Sequence, residues 1–290
     1  MGVIAGKNNS NKRHKYTKEE LLQLHNELYD ILAQIINVCE KHKIPYFVIG
    51  GTVIGAMYDH AILPWDDDLD IGMTRENYDR FLKVAQDELG AEYFLSIFET
   101  DSHTPFFYAK VKKNNTLYVE EKFQRIDMHH GIFVDIFPFD NVSDNKMLRK
   151  IQYKIVNFLK TCFMGAEVWM WKYFRKCEIE EPLKRSMIST FMCWCIVSLF
   201  SKETIYKMMN NVMTLWNKQE TSFVGLVITQ VDYFKKNSLI ELQKLKFGPL
   251  SVTASSDLEY YMRYNSLHRF TDEELFNHKS HQPVILKFSK

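Results

Sequence analysis

The sequence predicts an α+β fold on three observations. Helical apolar periodicity opens it, short apolar runs broken by glycine and aspartate fill its first half, and helical texture returns after Asp144. With 290 residues, 46% of them hydrophobic, the chain can bury the core of one elaborated domain or two small ones.

The elements follow in order. Residues 1–16 read as a loose basic arm with Lys7, Lys12, Arg13 and Lys15, and the lack of an apolar stretch after it argues against a signal peptide. Thr17 followed by Glu20 is a capping-box pattern, and Leu21, Leu24, Leu28, Ile31, Ile35 and Cys39 recur at helical spacing, which predicts an amphipathic helix to about His42. Pro45 stops it. Tyr46 to Ile49 reads as a buried strand entering a tight turn at Gly50-Gly51, and a short helix is expected from Thr52 to about Asp59.

Leu69 to Met73 is the next strand, and Thr74 is placed to cap a helix with apolar positions Tyr78, Phe81, Leu82, Ala85 and Leu89, closed by Gly90. Aromatic and β-branched runs at Tyr93–Phe98, Phe106–Val111, Thr116–Glu120 and Ile132–Phe137 read as further strands of one sheet. The reading thus divides the chain into the arm (1–16), a core (17–144), a mainly helical addition (145–220) and a mixed C-terminal segment (221–290) that completes the domain.

Lysine and arginine total 37 against 36 acidic residues, and a net charge of +1 gives no reason to expect a nucleic-acid-coating surface. Five cysteines, Cys39, Cys162, Cys177, Cys193 and Cys195, form no CxxC pair and fit a reducing compartment. The most apolar run, Met187 to Phe200, is shorter than the ~20 residues of a spanning helix. It reads as a buried or membrane-touching helix, so a cytoplasmic protein is expected, with peripheral contact at the inner face of the membrane as an extension.

Chemistry concentrates in Pro64-Trp65-Asp66-Asp67-Asp68-Leu69-Asp70-Ile71-Gly72. On a strand, Asp68 and Asp70 point to one face while Leu69 and Ile71 point to the other. Like charges held so close call for a cation, and oxygen ligands select a hard one, Mg²⁺ or Mn²⁺. A solvated acidic turn is the plainer alternative, but Asp70 sits inside an apolar run where an unpaired carboxylate is costly. Asp66 is a further ligand or orients one, and Asp67 is expected to be solvent-exposed.

Asp135 repeats the pattern within Ile132-Phe133-Val134-Asp135-Ile136-Phe137. If the two strands are neighbours, it completes a three-carboxylate site as a ligand or as the base for an acceptor hydroxyl; otherwise it is a buried aspartate satisfied by backbone donors. Gly50-Gly51-Thr52, at a strand-to-helix turn, lets a phosphate approach free N–H groups. His129 and His130 precede the Asp135 strand, and alternation directs at most one toward the site. Trp169, Trp171, Trp194 and Trp216 are either core or a stacking surface for sugar or lipid-linked acceptor.

Together GGTVIGAMYDHAILPWDDDLDIGM, YAKVKKNNT and HHGIFVDIFPFD resemble the LicD phosphotransferases, relatives of fukutin and fukutin-related protein, over about residues 20–145. A looser likeness recurs near Tyr260 to His281. The resemblance implies a nucleotidyltransferase-like mixed sheet flanked by helices. It implies Gly50, Gly51 and Thr52 at the phosphate turn, Asp68 and Asp70 as the metal pair, Asp135 as the third acid and Asp66 as an additional carboxylate. Lys110 and Thr116 match positions near the donor phosphates. The implied reaction moves phosphocholine or an alditol phosphate from a CDP-linked donor to a hydroxyl of a surface glycan or lipid-linked glycan, as in lipopolysaccharide modification. The alternatives are a nucleotidyltransferase using an NTP, a catalytically idle nucleotide- or glycan-binding relative, and, last, an aspartyl-phosphate phosphatase.

Overall fold

A computed structural model describes residues 16–175, 187–228, 233–271 and 283–289. The first helix, α1 (Lys18–Lys41), starts at the expected capping box: the Glu20 N–H donates to Thr17 Oγ1 at 3.1 Å and the Thr17 N–H to Glu20 Oε2 at 2.9 Å. Such a cap contributes about 1 kcal/mol. Its periodic residues Leu24, Leu28, Ile31, Ile35 and Cys39 are buried against the sheet. Truncating Leu28 or Ile31 to alanine is expected to cost about 2–5 kcal/mol.

The sheet is mixed. β1 (Phe47–Val48) lies antiparallel to β2 (Asp70–Thr74), which pairs in parallel with β6 (Phe133–Val142); antiparallel β4 (Ala109–Lys113) and β3 (Tyr93–Ser96) complete the row. The far end of β6 carries β7 (Phe223–Gly225), which pairs with β8 (Tyr233–Lys235). The parallel β2–β6 pair needs a long crossover, and α3 (Arg75–Glu88) with β3 and β4 supplies it. Helix α2 (Gly50–Tyr58) bridges β1 and β2. Thr74 precedes α3, but its hydroxyl accepts from Asn77 Nδ2 rather than from a helix N–H.

One expected strand sits elsewhere. β5 (Leu117–Val119) leaves the main sheet and pairs with β11 (Ile285–Lys287) in a separate two-stranded ladder. The Asn114-Asn115 turn explains the departure: Asn115 has a φ of 61°, and the chain turns out of β4 there rather than continuing the row.

Helices α4 (Lys146–Arg175), α5 (Met187–Leu199) and α6 (Lys202–Met213) follow β6. Val156 and Phe163 of α4 and Ile205 and Met209 of α6 are buried in the same apolar cluster as the sheet. A hairpin of β9 (Leu242–Phe247) and β10 (Leu250–Ser255) packs beside β1, and α7 (Leu258–Tyr264) follows it. Four cysteines, Cys39, Cys162, Cys193 and Cys195, are free thiols; Cys177 and the side chains of Trp169 and Trp171 fall outside the described residues.

Candidate active site

The parallel register of β2 and β6 sets Asp70 directly beside Asp135. The same two strands are tied by the Asp135 N–H, which donates to the Leu69 carbonyl at 2.9 Å. Burial raises the Asp70 carboxyl well above its ordinary pKa, and the charges of Asp68, Asp135 and Asp66 raise it further against an opposing pull from Lys110. Four carboxylates therefore share one electrostatic neighbourhood.

The other face of this neighbourhood is the start of α2. Gly50 has a φ of +54°, and a Cβ there would lie 3.4 Å from Asp70 Oδ2. A Cβ on Gly51 would lie 2.6 Å from Asp66 Oδ2, so any larger residue there would push the Asp66 carboxylate aside. The helix N-terminus thus points its positive end at the carboxylates. The Asp70 N–H donates to Thr52 Oγ1 at 2.9 Å, which spends that hydroxyl on locking α2 to β2. The Gly50 N–H donates to Tyr261 Oη at 3.2 Å, so α7 closes the glycine turn from behind.

Asp67 corrects its expectation. It is 2% exposed, not solvated, and its Oδ2 accepts from Tyr16 Oη at 2.8 Å and Tyr118 Oη at 2.7 Å. Two phenol hydroxyls satisfy a carboxylate turned inward. Asp66, Asp67 and Asp68 nonetheless each offer an oxygen within 4.8 Å of one another. The Asp66 carbonyl accepts from His25 Nε2 at 2.8 Å, and burial holds the imidazole of His25 below its ordinary pKa. α1 therefore anchors the loop through a neutral ring.

Lys110 is 2% exposed rather than a surface lysine. It stands opposite Asp135 across β4 and β6, and its Nζ donates to Asp135 Oδ1 at 2.5 Å. Its ammonium also lies 3.5 Å from the centroid of Phe133 and 4.1 Å from that of Phe106. The Tyr108 hydroxyl reaches Asp135 Oδ2 at 3.3 Å. Asp135 is thus a buried carboxylate held by side chains, not by backbone donors alone.

Thr116 belongs to the framework. Its hydroxyl donates to the Lys113 carbonyl at 2.8 Å and accepts from the Ile132 N–H at 2.9 Å, fastening the turn after β4 to the approach of β6. His129 and His130 precede the strand, which starts at Phe133, so alternation does not separate them and both border a small cavity beside Lys110. The His129 Nδ1 accepts from the Gly131 N–H at 3.1 Å, leaving Nε2 to donate to Asn114 Oδ1 at 2.9 Å. Burial and the nearby Lys112 ammonium lower His129 to about 4. Both histidines serve the loop.

Tyr108, Tyr118, Tyr16 and Tyr261 are the residues that sequence reasoning missed. Tyr108 was within reach, because it stands two positions before Lys110 and alternation puts both on one face. Tyr16, Tyr118 and Tyr261 act across large sequence separations and carry no local signal. Trp194 is largely exposed and Trp216 partly buried.

Comparison with known proteins adds the following. Residues 43–159 match the family model described as LicD/FKTN/FKRP, nucleotidyltransferase domain. The chain is 35% identical over 119 residues to the lipopolysaccharide cholinephosphotransferase LicD of Haemophilus influenzae, covering 40% of this chain and 42% of the relative. It is 24% identical over 146 residues to an uncharacterised protein of Rickettsia typhi, covering 50% of this chain and 43% of the relative. The matched region thus spans less than half the length of these curated relatives.

Proposed function

We propose, from the premise that this chain belongs to the LicD family through residues 43–159, that it transfers a phosphate-bearing group from a CDP-activated donor to a hydroxyl of a surface glycan or lipid-linked glycan. The transferred group is phosphocholine or an alditol phosphate. The observation that carries this reading is the adjacent placement of Asp70 and Asp135, with Asp66 and Asp68 beside them and the N-terminus of α2 facing them.

The chemistry of the donor set suits Mg²⁺ or Mn²⁺: all its groups are carboxylates, and burial first, then the neighbouring carboxylates, disfavour the charged form of Asp70 in a way that a bound cation would offset. Asp66, Asp68 and Asp70 would hold the ion, with Asp135 completing the set. A bound dication supplies charge stabilisation on the reacting phosphoryl group. The chain's own residues do the rest. The N–H groups at Gly51 and Thr52 bind donor phosphate at the positive end of α2, and the carboxylates orient the acceptor hydroxyl for in-line attack. The acceptor oxygen bonds to the distal phosphorus as the bond to CMP breaks, and CMP leaves with the electron pair. The acceptor proton passes to a carboxylate oxygen of the cluster.

Asp135 is expected as the general base, with a ligand role beside it. Its ion pair with Lys110 fixes the orientation of the Asp135 carboxylate in either role. Lys110 and Tyr108 are then positioning residues that fix the Asp135 oxygens.

The test is a thermal-shift panel of wild type and Asp68→Asn/Asp70→Asn with CDP-choline, CDP-ribitol, CDP-glycerol, CTP and ATP, with and without Mg²⁺. A ligand that binds only the native state raises its melting temperature. Stabilisation by one CDP conjugate, dependent on Mg²⁺ and lost in the variant, is the expected result. Stabilisation by CTP or ATP alone transfers the reading to a nucleotidyltransferase, and no response to any ligand favours an idle relative.

A further inference from the structure

The first turns of α4 present a face that sets them apart from the rest of the surface. Arg149, Gln152 and Val156 turn inward, while Met147, Leu148, Ile151 and Ile155 are 72, 41, 48 and 44% exposed. At about 100° per residue these four fall within an arc of about 100°. Lys146, Lys150 and Lys154 fall in an adjoining arc of about 80°, and all three are exposed. From Lys146 to Ala166 the helix contains no acidic residue. The inward basic side chain is already used: the Arg149 guanidinium lies 5.1 Å from the ring of Phe223 and 5.3 Å from that of Tyr233. Three lysines at i,i+4 spacing repel one another, so this flank gains only from an anionic partner.

We propose that α4 lies on an anionic lipid surface, with Met147, Leu148, Ile151 and Ile155 at the boundary between head groups and acyl chains and the three lysines reaching lipid phosphates. An apolar arc bordered by lysines, on a helix lying in the membrane plane, is the pattern of interfacial binding. No helix among the described residues is long and apolar enough to cross a membrane, which leaves contact along the surface. A second copy of the chain is a poorer occupant, because a two-fold contact through this face brings like charges together. α5 packs on α4 and adds exposed Phe191 and Trp194 with no charged residue along its length, an extension of the same kind of surface. The proposal is independent of the chemistry at the carboxylates.

The experiment is co-sedimentation of the full chain with vesicles of phosphatidylcholine alone and of phosphatidylcholine mixed with phosphatidylglycerol. The variants are Lys146→Gln/Lys150→Gln/Lys154→Gln and Ile151→Ser/Ile155→Ser, with circular dichroism and melting curves to verify folding. Binding to the mixed vesicles only, weakened by salt, is expected. Each basic residue near an anionic surface contributes about fivefold, so the lysine variant loses on the order of 100-fold. The isoleucine variant loses about tenfold or more. Equal binding to both vesicle types, no binding to either, or an unchanged lysine variant overturns the proposal. So does a dimer in sedimentation velocity that Ile151→Ser/Ile155→Ser dissolves while vesicle binding persists.

Discussion

Replacing Lys110 by methionine isolates the cation that, among the described residues, acts on Asp70 and pairs with Asp135. Lys110 and Asp135 are 3% and 7% exposed at the side chain and meet at 2.5 Å. Methionine keeps most of the stem that packs on Phe106 and Phe133 and deletes the charge. The cost is set by what stays behind, since Asp135 remains buried beside Asp70, whose carboxyl is already raised by the same neighbours. Removing one partner of a buried pair costs about 3–5 kcal/mol, which for a chain of this size lowers the melting temperature by roughly 10 °C. Proton uptake limits the loss. An unpaired carboxylate has a folded pKa above its unfolded one, so its penalty is full at high pH and fades as pH falls through the folded value. The assay is thermal and urea denaturation of wild type, Lys110→Met, Asp135→Asn and the double variant, at pH 7.5 and 5.5, free of divalent cations. The double variant is expected to recover most of the loss, with a coupling of about 3 kcal/mol. A Lys110→Met loss below about 1 kcal/mol, with additive single effects, would refute the claim that Lys110 compensates Asp135.

Three further outcomes are expected. Asp68→Asn/Asp70→Asn should abolish turnover and Mg²⁺-dependent stabilisation while leaving the metal-free melting temperature unchanged or higher, because like-charge repulsion is removed; retained metal-dependent activity sinks the site assignment. Gly51→Ala should displace the Asp66 carboxylate, 2.6 Å from the new Cβ, and weaken Mg²⁺ binding about tenfold or more; an unchanged Mg²⁺ titration argues that Asp66 is no ligand. His129, lowered from 6.5 to about 4, stays neutral in the fold while the unfolded ring protonates, so the stability it contributes is lost as pH falls from 6.5 toward 4. The melting temperature of wild type should therefore drop more steeply than that of His129→Gln across that window, and parallel profiles would show that His129 does not titrate as assigned.

The candidate carboxylates are legible in the sequence because they break local rules. Asp70 and Asp135 each stand in an apolar strand, a conflict that implies shared chemistry only if the two strands are neighbours, and the parallel register of β2 and β6 makes them so. The capping box at Thr17 was equally readable, since a helix start depends on residues within one turn. What escaped depends on distant segments. Asp67 looks like its neighbours in sequence, and only Tyr118 and Tyr16, 51 residues away on either side, turn it inward. Lys110 looks like an exposed strand lysine until β6 covers it. Strand β5 has ordinary strand composition, and nothing local tells it to pair with β11 instead of joining the main sheet.

That last pairing bears on the order in which the protein is made. The acidic loop leaves the ribosome early, at residues 66–70, yet Tyr118, which holds Asp67, sits on β5, and β5 gains its partner only with residues 285–287. Tyr261, which closes the glycine turn, also arrives late. A nascent chain therefore carries the acidic residues without these supports until more than two hundred further residues, about 215, have been added.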